Sequence, residues 1–465
     1  MTQLNYCPVR WQAKRYGNEI AIKTDHKSLS YLQLDALVGS LNKQLVDLKS
    51  GERLICISDN SLSLILLQLT CIRLGIIFCA LNPRFSEDEV KQRIEVLQST
   101  IIYSADSVKH CQLNSLELDF LMPNSVAVTA TAKYEDIAID PKQVCNIIFT
   151  SGSSGQPKAV MHCFQNHFYS AFDSQSIIPL NSKNRNLLSL PLFHISGYAS
   201  VIRTLLASAT MVLSKKTLTS ELLKSQKITH LSLVATQLFR LLENTQFNAA
   251  DLSIEHLLLG GSAFSDDLLA TTKARGFCFH LSYGLTEMSS QVASSTNNKN
   301  LMQLPNQQIK IINDEIYLRG KTRFIGYFNN DLKSSLIPDS EWFASKDLGS
   351  LNKKQLTIRG RKDRLMISGG ENIQAEEVEK AILKFPGIKQ VYVVAIKDPV
   401  FGHRPVAFID WHNQKHLLKQ LQQFLQKSLS SYKQPIHYFN LPQQTTLKVS
   451  LKELKAIAEY NLKIR

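Results

Sequence analysis

Short apolar runs alternate with amphipathic stretches along most of the chain. "RLICIS" (53–58), "NIIFT" (146–150), "NLLSLPLF" (186–193), "TMVLS" (210–214), "HLSLV" (230–234) and "HLLLGG" (256–261) are each short and almost uniformly apolar. That pattern predicts strands buried on both faces. Between them, "LSYLQLDALVGSLNKQLVDL" (29–48) and "QLFRLLENT" (237–245) carry the helical period. Strand and helix in alternation predict an α/β fold: a large N-terminal domain of mainly parallel sheets covered by helices. After about residue 350 the character changes. "QLTIRGRKDRLMISGGENIQAEEVEKAIL" predicts a strand, a charged turn, a second strand, a Gly-Gly turn and a helix from about Gln374. Strands at 391–398 and 405–411 and an amphipathic helix at 416–429 complete a small, mobile α+β C-terminal domain. The boundary is placed at "GRKDR", giving domains 1–360 and 361–465.

Length agrees with two domains, since 465 residues exceed one ordinary core. The most apolar window, "LSLILLQLTCIRLGIIFCAL" (62–81), holds Gln68 and Arg73. Arg73 near a bilayer centre is costly, so a buried helix followed by a strand is expected there and no stable membrane insertion. The eight cysteines form no CxxC pair and sit mostly in apolar runs, which predicts a reducing, cytoplasmic setting without disulfides or a cysteine metal site. Net charge is +14, and residues 353–465 hold 20 Lys+Arg against 9 Asp+Glu, or +11. Such a basic quarter suits an acidic ligand, a nucleic acid or simply a solvated face.

The candidate chemistry begins with "FTSGSSGQPKAV" (149–160), which follows a strand. Its glycines let backbone N–H groups turn toward one anion, its hydroxyls add donors, and Lys158 can neutralise charge. The Walker spacing does not fit, because Pro157 precedes Lys158 and Ala159 follows it. Further blocks come in order. "SLPLFHISG" (189–197) ends a predicted strand with His194, Ser196 and Gly197. "LLLGGSAF" (257–264) brings Gly260, Gly261 and Ser262, and "LSYGLTEMSS" (281–290) brings Tyr283, Gly284, Thr286 and Glu287. "KDLGSL" offers Asp347, "GRKDRLMISGGENI" (360–373) offers Arg361, Asp363, Ser368, Gly369 and Gly370, and "TTLKVSLKELK" offers Lys448.

In this order and spacing the blocks resemble the adenylate-forming superfamily of acyl-CoA synthetases, luciferases and peptide-synthetase adenylation domains. The resemblance runs from about Tyr6 to Lys455. It implies ATP, Mg²⁺ and coenzyme A as cofactor and co-substrates. Thr150, Ser151, Gly152, Ser153, Ser154, Gly155 and Lys158 would hold the ATP phosphates. Tyr283 would stack on adenine beside Gly284, Thr286 would touch the α-phosphate, and Glu287 would hold the metal. Gly260, Gly261 and Ser262 would line the adenine and acyl pocket, and Asp347 with Arg361 would hold the ribose. Lys448 would stabilise charge during acyl-adenylate formation. Asp363 would be the hinge, and Ser368, Gly369 and Gly370 would meet CoA. The basic quarter then suits CoA, and no nucleic acid partner is implied. A homo-oligomer is compatible, since relatives are commonly dimers. Two departures stand out: Leu447 occupies the usual glycine position before Lys448, and Ser345-Lys346 replaces the usual Thr-Gly before Asp347.

Within that superfamily, "SLPLFHISGYASVIR" and "THLSLVATQLFRLL" resemble the o-succinylbenzoate–CoA ligase family. There a basic residue nine positions after the histidine reads the second carboxylate of the acid; here that position is Arg203, and Ser232 would line the same pocket. A planar guanidinium can bond both carboxylate oxygens. His194 would wall the acyl pocket and shift between half-reactions, with Ser196 and Gly197 beside it. The small-molecule carboxylic acid is then 2-succinylbenzoate; the alternative is another aryl- or medium-chain acyl-CoA ligase, which has no need of Arg203. Lys448→Ala is expected to abolish AMP formation from acid and ATP while largely sparing thioester formation from supplied acyl-AMP. Equal loss of both steps in half-reaction assays contradicts that assignment.

Overall fold

A computed structural model of the chain describes residues 2–105, 115–120, 135–151, 157–262, 264–329, 332, 336–411, 417–442 and 449–463. The chain forms two compact units. One holds residues 1–263, 268–308 and 318–342; the other holds 264–267, 309–317 and 343–465.

In the first unit the helices are α1 (Pro8–Tyr16), α2 (Tyr31–Gln44), α3 (Leu62–Leu74), α4 (Glu87–Leu97), α5 (Phe164–Gln175) and α6 (Ile195–Leu206), followed by shorter ones. Its strands are β1 (Ile20–Lys23), β2 (Ser28–Ser30), β3 (Arg53–Ile57), β4 (Ile77–Leu81), β5 (Ile102–Ser104), β6 (Val144–Ser151) and β7 (Pro157–Cys163). They continue with β8 (Arg185–Leu187), β9 (Thr210–Val212), β10 (His230–Leu233), β11 (His256–Leu259), β12 (Phe279–Leu285), β13 (Ser290–Thr296) and β14 (Leu301–Gln303). One sheet runs β7-β6-β4-β3-β5, with Gly326–Tyr327 on the outer edge of β7. The other runs β14-β13-β12-β11-β10-β8-β9-β1-β2 within this unit. Pairing is parallel from β12 through β1 and antiparallel at β12–β13, β13–β14 and β6–β7.

The period of two decides how the first sheet is buried. Leu54 and Cys56 of β3 face a core shared with α1, α2, α3, α5 and α6. Ile55 and Ile57, their alternating neighbours, face a second core with Val90 and Leu97 of α4. The apolar window 62–81 is a buried helix and a buried strand, as its composition predicts. Ser61 caps the helix by accepting from the Leu64 N–H, and Gly75 stops it in the left-handed region at φ +70°. Arg73 is buried and pairs with Asp35 of α2, which also forms an ion pair with Arg10 at 2.9 Å.

In the second unit, strands Phe343–Asn352 and Gln355–Arg361 form an antiparallel ribbon. A further sheet joins Leu365–Ser368, Glu371–Gln374, Ile388–Asp398, Gly402–Trp411 and His437–Asn440. Helix Ala375–Leu383 packs on it through Val378 and Ile382, and Leu418–Ser428 through Leu421 and Leu425. The run 186–193 departs from expectation. Only Arg185–Leu187 is strand, and Ser189 to Phe193 form the turn that leads into α6. The Ser189 N–H turns back to the Leu187 carbonyl at 2.9 Å, and Pro191 beyond it has no N–H to resume a ladder. His194 is therefore the N-cap of a helix rather than the end of a strand.

Removing one member of the buried Asp35–Arg73 pair strands a charge in the core. Asp35→Ala is expected to lower unfolding free energy by about 3–5 kcal/mol in urea titrations; a change under about 1 kcal/mol contradicts a structural role for the pair.

Candidate adenylate-forming site

The two ends of the phosphate stretch lie on paired strands. Strands β6 and β7 pair antiparallel, with Thr150 opposite Lys158 and Ser151 opposite Pro157. Gly152, Ser153, Ser154 and Gly155 lie outside the described residues, and so does Lys448. The Lys158 ammonium stands 4.8 Å from the centroid of the Tyr327 ring. Tyr327 lies on the short strand paired to β7, opposite Val160, and its hydroxyl donates to Glu287 Oε1 at 2.8 Å. Burial and the neighbouring Glu287 carboxylate push the Tyr327 phenol well above its ordinary range, so it stays a donor. A cation, a ring and a carboxylate thus form one chain of contacts.

Glu287 sits in the single turn Thr286–Met288 that follows β12. Two backbone bonds hold that turn: His162 Nε2 lies 2.7 Å from the Thr286 carbonyl oxygen, and the Phe324 N–H donates to the Glu287 carbonyl at 2.8 Å. Burial pushes His162 down to about 4, so at neutral pH a neutral imidazole can donate to that carbonyl. Gly284, in the same block, has no room for a side chain, because a Cβ there would lie 1.6 Å from the Ser290 carbonyl oxygen. Gly260, Gly261 and Ser262 leave the end of the neighbouring β11, with Gly261 at φ +79°. Tyr283 is in β12.

Parallel strands carry these blocks out at one sheet edge, the carboxyl ends of β11 and β12. Ligand sites in α/β sheets form at that edge. Tyr327 and His162 were not among the sequence candidates. No motif marks them; only the strand pairing brings them to the Thr286–Glu287 turn.

The acyl candidates divide along one helix. His194 caps the start of α6, with its ring edge-on to Phe193 at 4.7 Å, and Ser196 and Gly197 follow in the first turn. Gly197 is required there, since a Cβ would come within 2.1 Å of the Pro191 carbonyl oxygen. Arg203 lies in the last turn, about 13 Å further along the axis at 1.5 Å per residue. Arg203 and Ser232 line one pocket, with His230, His256 and Asn186 among its walls. His194, Ser196 and Gly197 do not line it. The guanidinium of Arg203 is buried and donates to Ser174 Oγ at 3.2 Å. No carboxylate pairs with it among the described residues. Burial pushes it down to about 10, which still leaves it charged at neutral pH.

In the second unit, Asp347 is buried on the ribbon and accepts from Arg361 Nη1 at 3.2 Å. Arg361 also clamps Asp363 with two bonds of 2.9 and 2.8 Å. The resulting hydrogen bonds hold the Asp363 carboxyl below its ordinary range. Ser368 is buried, and Gly369 and Gly370 form the turn that follows it at φ +56° and +87°.

Mg²⁺ takes one or two protein carboxylates and fills its remaining positions with water and phosphate oxygens. Glu287 fits that demand: its Oε1 is oriented by Tyr327 and the residue is only half-buried.

The chain belongs to the AMP-binding enzyme family, whose main domain matches residues 9–328 and whose C-terminal domain matches 377–446. Among curated relatives, it is 32% identical over 455 residues to 2-succinylbenzoate–CoA ligase of Escherichia coli K12, covering 96% of both chains. An Arg-to-Lys variant of E. coli MenE with bound OSB-AMS superposes with a TM-score of 0.85 at 30% identity, covering 98% of both chains. The Bacillus subtilis o-succinylbenzoate CoA synthetase (MenE) in complex with the acyl-adenylate OSB-AMP gives 0.84 at 27% identity over 97% of this chain and 98% of that one. The same B. subtilis enzyme with ATP and magnesium ion gives 0.80 at 25% over 97% and 99%.

Tyr327→Phe keeps the ring beside Lys158 and removes the donor to Glu287. The Mg²⁺ concentration for half-maximal AMP formation is expected to rise about 10-fold, the usual scale for losing a partner of a metal ligand. An unchanged Mg²⁺ dependence separates Tyr327 from the metal-binding role of Glu287.

Proposed function

We infer that this protein is an AMP-forming acid–thiol ligase that converts 2-succinylbenzoate to 2-succinylbenzoyl-CoA, a step of menaquinone biosynthesis. The observation that carries the choice of acid is the buried Arg203 guanidinium. A cation out of water is costly without an anion. Arg203 has one serine hydroxyl and a cavity beside it. An aromatic acid with a second carboxylate supplies the missing charge; a monocarboxylic fatty acid does not.

In the first half-reaction the succinyl carboxylate attacks the α-phosphorus of ATP, and the bond to pyrophosphate breaks. Lys158 neutralises phosphate charge, and Thr286 offers its hydroxyl on a turn pinned by His162. Glu287, oriented by Tyr327, is the residue that would hold Mg²⁺, which when bound offsets the charge of the triphosphate. Tyr283 stacks on the adenine beside Gly260, Gly261, Ser262 and Gly284, and Asp347 with Arg361 takes the ribose hydroxyls. Lys448 steadies the charge that develops as pyrophosphate leaves. In the second half-reaction the CoA thiolate attacks the acyl carbon and AMP departs, with Ser368, Gly369 and Gly370 meeting CoA. His194, at the start of α6, walls the acyl pocket.

Asp363, clamped by Arg361, is the proposed hinge and 360/361 the proposed domain boundary, whereas the second compact unit already takes in residues 343–360. No helix among the described residues is long and apolar enough to cross a membrane, and six of the seven described cysteines are buried as free thiols. Both support a cytoplasmic location.

Charged hydrogen bonds of this kind are worth about 1.5–3 kcal/mol, or about 10- to 100-fold in affinity. Arg203→Ala is therefore expected to raise KM for 2-succinylbenzoate by about that factor, while benzoate-like monoacids change little. The check is pyrophosphate release across a panel of acids. A medium-chain fatty acid or simple aryl acid turned over far better than 2-succinylbenzoate by the native enzyme overturns the assignment.

A further inference from the structure

At the amino-terminal ends of β10, β11 and β12, opposite to the glycine and YGLTE blocks, three histidines lie side by side. His230, His256 and His280 stack with ring centroids 5.1 Å apart at each step. His256 Nδ1 is 2.9 Å from His280 Nε2, and the Cys278 Sγ is 3.7 Å from that same nitrogen. Cys278 and His280 are two residues apart, so both project on one face of the sheet. Three donor atoms converge on one point, and a fourth direction is left over.

The spacing is that of a tetrahedral metal site. Zn–N bonds of about 2.0–2.1 Å and a Zn–S bond of about 2.3 Å set tetrahedral edges of roughly 3.3 Å between nitrogens and roughly 3.6 Å between nitrogen and sulfur. The nitrogen–sulfur distance already matches, and the two imidazoles need to part by only a few tenths of an ångström. The surrounding groups are arranged as outer-shell partners are. Thr296 Oγ1 lies 3.0 Å from His280 Nδ1 and can accept its proton, and in that tautomer the Nε2 lone pair is aimed at the centre. Asn297 is held at both ends of its amide: Oδ1 accepts from the Phe279 N–H at 2.9 Å, and Nδ2 donates to Cys278 Sγ at 3.8 Å. His256 and Cys278 are only half-buried, which gives an ion a way in.

We propose that His256, Cys278 and His280 bind a borderline divalent cation of the Zn²⁺ type, with a water in the fourth position. One sulfur and two imidazoles favour such an ion over the oxygen-seeking Mg²⁺, so this site is chemically distinct from Glu287. On binding, the Cys278 S–H bond gives up its proton to solvent as the S–metal bond forms. The ion then ties the start of β11 to the start of β12, whose far ends carry Gly260–Ser262 and Tyr283–Glu287.

The test is a titration of chelator-treated full-length protein with Co²⁺ and with Zn²⁺. The expected result is one ion per chain, a near-ultraviolet thiolate-to-cobalt band, visible bands of tetrahedral intensity, and a higher Tm with Zn²⁺ than with chelator. Cys278→Ser is expected to lose the thiolate band and weaken binding at least about 10-fold, and Asn297→Ala to weaken it about 10-fold. Cys111→Ser is the control and is expected to keep band and affinity. AMP formation by the chelator-stripped protein, assayed after the chelator is removed and in excess Mg²⁺ without added Zn²⁺ or Co²⁺, reports whether each variant is folded. No cobalt band in the native protein, or a band that survives Cys278→Ser, overturns the proposal.

Discussion

Parallel pairing of short strands decides where everything else can go. β10, β11 and β12 are hydrogen-bonded in one direction, His230 opposite His256 and Leu257 opposite Phe279. A parallel ladder sends all of its carboxyl ends to one edge. The glycine block and the Tyr283–Glu287 block are therefore neighbours although more than twenty residues separate them along the chain. The same rule gathers the opposite ends, so the histidines and Cys278 are neighbours too. Where β12 turns back antiparallel against β13, the backbone comes so close that Gly284 has no room for a Cβ.

Charge placement follows from that frame. Lys158 lies beside a ring whose hydroxyl is itself committed to Glu287, so the cation and the carboxylate are held apart without neutralising one another directly. Under the proposed function, that leaves each of them for phosphate or metal. Arg203 shows the same economy at the other extreme: a serine orients it, and no acidic side chain among the described residues consumes its charge. Asp35 and Arg73 are the contrast. There the carboxylate and the guanidinium satisfy each other inside the core, and the pair serves packing.

The fold was legible because burial on both faces writes itself into composition. The runs at 53–58, 146–150 and 256–261 are apolar at nearly every position, and each is a strand. The run 186–193 misled for a physical reason. A turn packed into a core is as apolar as a strand, and only Pro191 marks the difference. Candidate site residues were legible where several sit in one block, as at Tyr283–Glu287. Tyr327 and His162 escaped notice because each acts across strands through a single contact, and single contacts leave no local pattern. The histidine ladder was invisible for the same reason, being spread over three strands, and Cys278 reads in sequence as one more cysteine in an apolar run.

Helix α6 has a consequence for the cell. Its start is locked by the close approach of Gly197 to Pro191, and its last turn carries Arg203. Histidine cap and arginine are thereby fixed points on a rigid rod, and the rod acts as a ruler. Under the proposed function, an acid is graded by whether its far end presents negative charge at the right reach. A fatty acid would then leave a bare cation in contact with hydrocarbon, which places the discrimination at binding, before any ATP is committed.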